Sequence, residues 1–307
     1  MIIQLKASSR ENLCLSPCEL LASNNLTLHN EAHGLRHPLG IYTVSVGKVA
    51  ERFEDVLNQL DQLNGTFDPK DTKWSDKLLR EQERLLYALR EHIDHCFLVL
   101  QCFINTEKER VKNPHVKQFA KHIKNYRDTL GELVNKIKHG GARLCAVLLG
   151  DESGSIPGYF LESVHPGGAL GPDPSIHKNG LTAFSFTRDL RFHFFNLMHI
   201  SESLGIAIEK ITGNTINSSE AKCDWLARLA QRISRLPTYY YPDEVSLKNP
   251  WISYKEVNNS VNLTLLWGDK SPKPVSFPIK DGTHRFGVAV FYKGDSSSRS
   301  FKLPYSR

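Results

Sequence analysis

At 307 residues the chain is long enough for a large core and for two domains of roughly 100–200 residues each. Hydrophobic residues make up 40% and charged residues 23%, which excludes wholesale disorder, a collagen-like repeat and a coiled-coil rod. The net charge of +6 is modest, but ten Lys or Arg against three acids lie between Lys108 and Arg143, so this one segment carries the whole excess.

Met1 to Arg10 reads as a strand. Its apolar residues come first and Lys6 and Arg10 after them, the reverse of a secretory signal, which predicts an uncleaved, cytoplasmic chain. The periodicity predicts a first helix from Tyr42 to Asn64, with Val49, Phe53, Val56 and Leu60 on one side and Gly65 as its stop. A second runs from Trp74 to about Glu107. The longest nearly apolar run, Cys96 to Ile104, falls in it and is far short of the about 20 residues that a bilayer span needs. A third helix runs from His115 to His139 and ends at Gly140 and Gly141. Its apolar stripe is Val116, Phe119, Ile123, Tyr126, Leu130, Leu133, Val134 and Ile137.

Arg143 to Leu149 and Tyr159 to Val164 read as a β-hairpin, followed by a loop rich in Gly and Pro from His165 to Gly180. A fourth helix spans Thr187 to Thr212, and a short amphipathic one spans Ser219 to Arg235. Val261 to Trp267, Val275 to Ile279 and Phe286 to Tyr292 carry strand signals. The expected class is α+β: a mainly α-helical bundle with an inserted β-hairpin and a β-rich C-terminal region, divided at 1–68, 69–213 and 214–307.

Familiar chemistry is sparse. There is no G-x-S-x-G elbow, and Lys48 is followed by Val49 where a phosphate loop needs Ser or Thr. Cys14 and Cys18 are spaced C-x3-C, but no second Cys or His pair at finger spacing follows, and no metal is predicted there. His92 and His95 could share a metal at i, i+3, yet no third ligand is identifiable; a hydrogen-bonded histidine is the alternative.

On a continuous third helix, Lys117, Lys121, Lys124, Asp128, Asn135 and His139 fall in a sector about 60° wide, opposite the apolar stripe. Such a basic stripe suits nucleic acid or phosphate; a solvated helix face is the alternative. Three arginines precede a histidine with four residues between: Arg90 and His95, Arg110 and His115, and Arg188 and His193. In the third pair the arginine is followed by an acid, Arg188-Asp189-Leu190-Arg191-Phe192-His193.

At this point the chain resembles the HEPN superfamily (higher eukaryotes and prokaryotes nucleotide-binding domain). These are small helical bundles whose motif is arginine, a polar residue, three others and histidine. Val134-Asn135-Lys136-Ile137-Lys138-His139 is similar to an N-x-x-K-H ending seen in some members, with Val134 where the motif's arginine would fall. The resemblance covers about residues 74–212. It implies metal-independent endoribonuclease activity at a homodimer interface, without cofactor, as in a toxin or anti-phage defence effector.

On that reading His193 exchanges a proton with the RNA 2′-hydroxyl and Arg188 clamps the phosphate, with Asp189 orienting one of them. Asn135 and His139 would line the same cleft, and Lys117, Lys121, Lys124 and Lys138 would guide the RNA backbone. Two alternatives remain open. Arg188 and Asp189 could be a helix-start charge pair with His193 packed among Phe192, Phe194 and Phe195. The whole could also be a non-catalytic HEPN-like scaffold that binds nucleic acid or a protein partner.

Overall fold

Two long helices set the frame. In α2 (Pro38–Leu63) the residues Val46, Val49, Phe53, Val56, Leu57 and Leu60 recur at three and four and are buried. They pack on α3 (Lys73–Gln101), whose Leu78, Leu85, Leu89, Ile93, Cys96 and Leu100 are fully enclosed. The structure is a computed structural model that describes residues 1–23, 26–63, 73–151, 154–166, 168–178, 181–215, 223–269, 271–276, 287–291 and 304. No helix among them is long and apolar enough to cross a membrane.

Before this pair come β1 (Ile2–Ala7) and a short helix α1 (Ser16–Leu21), which no periodicity in the sequence announces. After it come α4 (Glu107–Lys112), α5 (Pro114–His122) and α6 (Lys124–His139). The expected third helix is therefore two. Ile123, with φ −93° and ψ 0°, is at once the C-cap of α5 and the N-cap of α6, so the backbone turns there. Asn113 caps α5 by accepting from the backbone N–H groups of His115 and Val116.

The hairpin forms as β2 (Arg143–Asp151) and β3 (Gly154–Val164), extended by β4 (Leu170–Pro172) and β5 (Phe184–Ser185) along β3. Then comes α7 (Phe186–Thr212), buried on nearly every side against α1, α3 and α5. α8 (Asp224–Arg235) follows. Its Arg228 and Arg232 reach Glu54 on α2, and Arg232 also bonds Asn58 and Asp61.

β6 (Tyr239–Tyr240), β7 (Pro250–Val257), β8 (Ser260–Trp267), β9 (Val275–Ser276) and β10 (Gly287–Phe291) complete the mixed α+β fold. β6 and β9 pair in parallel as a separate two-stranded sheet. β7 and β8 turn at Asn258 and Asn259, both with positive φ (50° and 66°), the left-handed pair that a two-residue hairpin demands and that asparagine tolerates. β1 lies antiparallel on β8, with Ile3 opposite Leu265 and Leu5 opposite Leu263, and β10 lies antiparallel on β2. Strand pairing thus links residues on both sides of the expected divisions at 68/69 and 213/214. The expected ends of the last strands, at Ile279, Phe286 and Tyr292, and the expected start of α8 at Ser219 lie outside the described residues.

One tight approach shows how the hairpin meets the rest. At Gly158 a Cβ would fall 2.3 Å from the Phe184 carbonyl oxygen and 2.4 Å from Tyr241 Oη. That Tyr241 hydroxyl donates to the carbonyl oxygens of Val147 and Ile156, so it cannot move aside without breaking the β2–β3 junction. Gly158→Ala is expected to lower stability by about 1–3 kcal/mol through overpacking, read as a reduced thermal midpoint. An unchanged midpoint would refute the tight fit.

Candidate functional site on helix α7

An interior helix normally carries apolar residues alone, yet α7 buries Arg188, Asp189, Arg191, His193 and Asn196 as well as its phenylalanines and leucines. Each buried polar group needs a partner, and the helix finds them on elements remote in sequence. The Asp189 carboxylate accepts from Tyr159 Oη at 2.6 Å on β3 and from Gln82 Nε2 at 2.8 Å on α3. His193, one turn further along, holds its Nε2 3.2 Å from the same carboxylate oxygen, though without hydrogen-bond alignment. Its Nδ1 lies 2.8 Å from Tyr126 Oη on α6.

Burial by itself would raise Asp189. The facing His193, the Tyr159 hydroxyl and the Arg188 charge outweigh it and hold the carboxyl below the usual range. Tyr126 and Tyr159 are pushed well above ordinary phenol values, first by burial and then by the Asp189 charge, so both stay protonated donors.

Arg188 and Arg191 face a different neighbourhood. Arg188 Nε donates to Asn249 Oδ1 at 2.7 Å, and its guanidinium lies 5.6 Å from the Phe192 ring centre. Its charge also reaches Glu244, a fully buried carboxyl that accepts from Ser185 N and Oγ and from Tyr241 N. Burial pushes Glu244 up to about 7, against the pull of Arg188 and these hydrogen bonds. Arg191, only 1% exposed, donates to the carbonyl oxygens of Ser234, Leu236 and Pro237, satisfying the open C-terminal end of α8. The charge of Arg191 is thus consumed structurally.

The residues expected from sequence separate into two sets. Asp189 and His193 come together while Arg188 turns to Asn249, and all three are buried, at 5%, 4% and 7% exposure. Asn135 and His139 sit exposed on the last two turns of α6, and among the described residues no hydrogen bond or ion pair joins them to the first set. The expected sector from Lys117 to His139 is exposed throughout, but it is divided between two helices that meet at Ile123. Lys124 pairs with Asp128 at 2.5 Å, and Lys138 lies over the Tyr87 ring at 4.6 Å. Lys117 and Lys121 on α5, and Lys108 and Lys112 on α4, are exposed and have no ion-pair partner among the described residues.

A cleft lies beside the buried set. It encloses about 330 Å³ and is lined by His122, Asn125, Tyr126, Asn196, His199 and Trp267, among others, and Tyr126 is its link to His193. Sequence reasoning misses Gln82, Tyr126, Tyr159, Glu244 and Asn249. They lie 61 to 107 residues from their α7 partners, or 30 in the case of Tyr159 and 59 between Glu244 and Ser185, and no local pattern marks them.

Among the described residues, neither His92 nor His95 of α3 belongs to a set of three metal-ligating side chains. His92 is fully buried, its Nδ1 2.8 Å from Ser45 Oγ and its Nε2 3.6 Å from Cys96 Sγ, and burial, then the nearby His95, lowers it to about 3. Cys14 and Cys18, in contrast, gain the third cysteine that their own neighbourhood lacks: with Cys223 they form a buried set whose sulfurs all lie within 4.8 Å of one another.

Comparison with protein-family models, with curated proteins and with solved structures finds no match to this chain.

Proposed function

We propose that the chain is a HEPN-like helical protein that binds nucleic acid through the basic face of α4 and α5 and does not cut it. One contrast carries this reading. The arginine, acid and histidine of the motif are spent on internal partners, while Lys108, Lys112, Lys117 and Lys121 stay exposed and unpaired among the described residues. A phosphate clamp must meet its phosphate, and a general base must come within about 3 Å of the proton it takes. A second copy docking on the surface would not reach Arg188 or His193 without opening the core, which argues against a shared dimer site. Four free ammonium groups on two adjoining short helices can displace condensed counterions, and that release drives most sequence-independent binding.

The ribonuclease reading keeps one observation in its favour, the cleft whose wall includes Tyr126, the hydrogen-bond partner of His193. A single set of assays separates the two. Fluorescence anisotropy with labelled single-stranded RNA and DNA is expected to show binding that weakens steeply with salt, and about tenfold weaker binding for the Lys117→Glu/Lys121→Glu variant at low salt. RNA incubated with the protein in EDTA is expected to stay full length. Cleavage abolished by His193→Ala would replace this reading with the ribonuclease one, and no binding of either polymer at low salt would remove the binding function.

A further inference from the structure

We infer that Cys14, Cys18 and Cys223 form a three-thiolate site for a zinc ion that ties the N-terminal helix α1 to the start of α8. The three sulfurs come from two stretches over 200 residues apart, and all three side chains are buried, at 7%, 3% and 4% exposure. Cys14 Sγ lies 3.1 Å and Cys18 Sγ 3.6 Å from Cys223 Sγ. Tetrahedral zinc with bonds of about 2.3 Å to sulfur places its thiolates about 3.8 Å apart along each edge. The Cys18–Cys223 edge at 3.6 Å meets that spacing, the Cys14–Cys223 edge at 3.1 Å opens by about 0.7 Å to reach it, and all three sulfurs already lie within 4.8 Å of one another. A disulfide would need about 2.05 Å.

The rest of the chain supplies the control. Cys96, Cys102 and Cys145 are equally buried, but among the described residues none of them meets another cysteine: Cys96 Sγ lies against His92 Nε2, Cys102 Sγ donates to the Leu98 carbonyl oxygen and Cys145 Sγ to the Glu162 carboxylate. Burial alone therefore does not gather cysteines in this protein. The backbone N–H of Leu15 also donates toward Cys223, a contact that supports negative charge on sulfur. Soft thiolates select thiophilic ions over Mg²⁺ or Ca²⁺, and binding releases the thiol protons as the metal–sulfur bonds form, with no change of oxidation state. Among the described residues no fourth side chain completes the set, so the remaining position belongs to a ligand other than cysteine or histidine from these segments. Closing a loop of this length is where such a clip gains most.

The test uses the full chain, prepared anaerobically with reductant and without chelator. Elemental analysis is expected to give one zinc per chain, and replacement by Co(II) to give the intense visible bands and thiolate charge-transfer absorption of tetrahedral cobalt–sulfur coordination. Cys18→Ser and Cys223→Ser are expected to lose most of the metal, whereas Cys145→Ser, outside the cluster, keeps it. Should the serine variants fail to fold, the cobalt spectrum of the unmodified protein still decides. Protein that carries no zinc and gives no thiolate–cobalt absorption, that carries copper or iron in its place, or that shows a Cys14–Cys223 disulfide by mass spectrometry overturns the assignment.

Discussion

Asp189→Ala is expected to destabilise the protein by about 2–5 kcal/mol, because it leaves buried donors without their acceptor. The carboxylate is the acceptor on which Tyr159, Gln82 and His193 converge from β3, α3 and α7. Without it the Tyr159 hydroxyl and the Gln82 amide face a cavity too dry to hydrate them, and each orphaned donor costs about 1–3 kcal/mol. Asp189→Asn is expected to cost less, because its amide oxygen still accepts from Tyr159, yet it removes the charge that faces His193 and Arg188. Urea unfolding at neutral pH reads both effects. A loss under about 1 kcal/mol in the alanine variant would mean that the network is ornamental to stability. Combined with unchanged RNA binding, the expected loss would mark Asp189 as a structural residue of the core.

Acid is expected to unfold the protein by a mechanism that titrates two buried histidines against one buried carboxyl. Burial lowers His92 to about 3 and, against a smaller opposing pull from Asp173, lowers His177 to about 4. For each, the unfolded chain takes up a proton near the ordinary value of about 6.5 while the folded chain does not, so stability falls as pH drops below that point. Glu244 works the other way. Its folded value of about 7 lies above the unfolded one, so the folded state binds the extra proton and gains stability as pH falls from 7 toward about 4.5.

Over two pH units the histidines together cost about 5 kcal/mol and Glu244 returns about 3, so the histidines win. Below about 4.5 the Glu244 gain is complete, and Asp189, held low in the folded state, adds its own loss as it is protonated. Urea midpoints are expected to change little between pH 7 and 6 and to fall steeply below 5. In Glu244→Gln the fall is expected to begin nearer pH 6, because the compensating group is gone. A midpoint that rises on acidification to pH 4 would refute the assignment of His92 and His177 as neutral buried groups.

Periodicity makes the long helices legible. α2, α3 and α7 lie within a few residues of their expected bounds, except that α3 ends at Gln101 where the helical pattern continues to Glu107. The reason is local: Thr106 caps a new helix by accepting from the Glu109 backbone N–H, so the chain between 101 and 106 serves two helices. The break at Ile123 is illegible because its apolar side chain continues the stripe from Phe119 to Tyr126 and no Gly or Pro marks the turn. β7 escapes notice because Lys255 and Glu256 interrupt its apolar alternation, and its pairing with β8 supplies the backbone partners that its composition does not advertise.

The candidate site divides in the same way. Asp189 and His193, four residues apart, share one helical face at a spacing that the sequence displays, and they meet in space, whereas Arg188 points toward Asn249. Whether they face solvent or core depends on Tyr126, Tyr159, Gln82 and Asn249, which arrive from four other segments.

The order of residues alone was enough to establish an α+β chain with long amphipathic helices, a basic segment after residue 107 and an arginine–histidine motif at the head of α7, because these are properties of neighbours along the chain. Tertiary packing decided that the motif lies inside the protein, that Asn135 and His139 stay on the surface, and that Cys223 joins Cys14 and Cys18. Burial and the meeting of distant side chains follow from how whole elements stack, a relation between segments that spacing within any one of them does not encode.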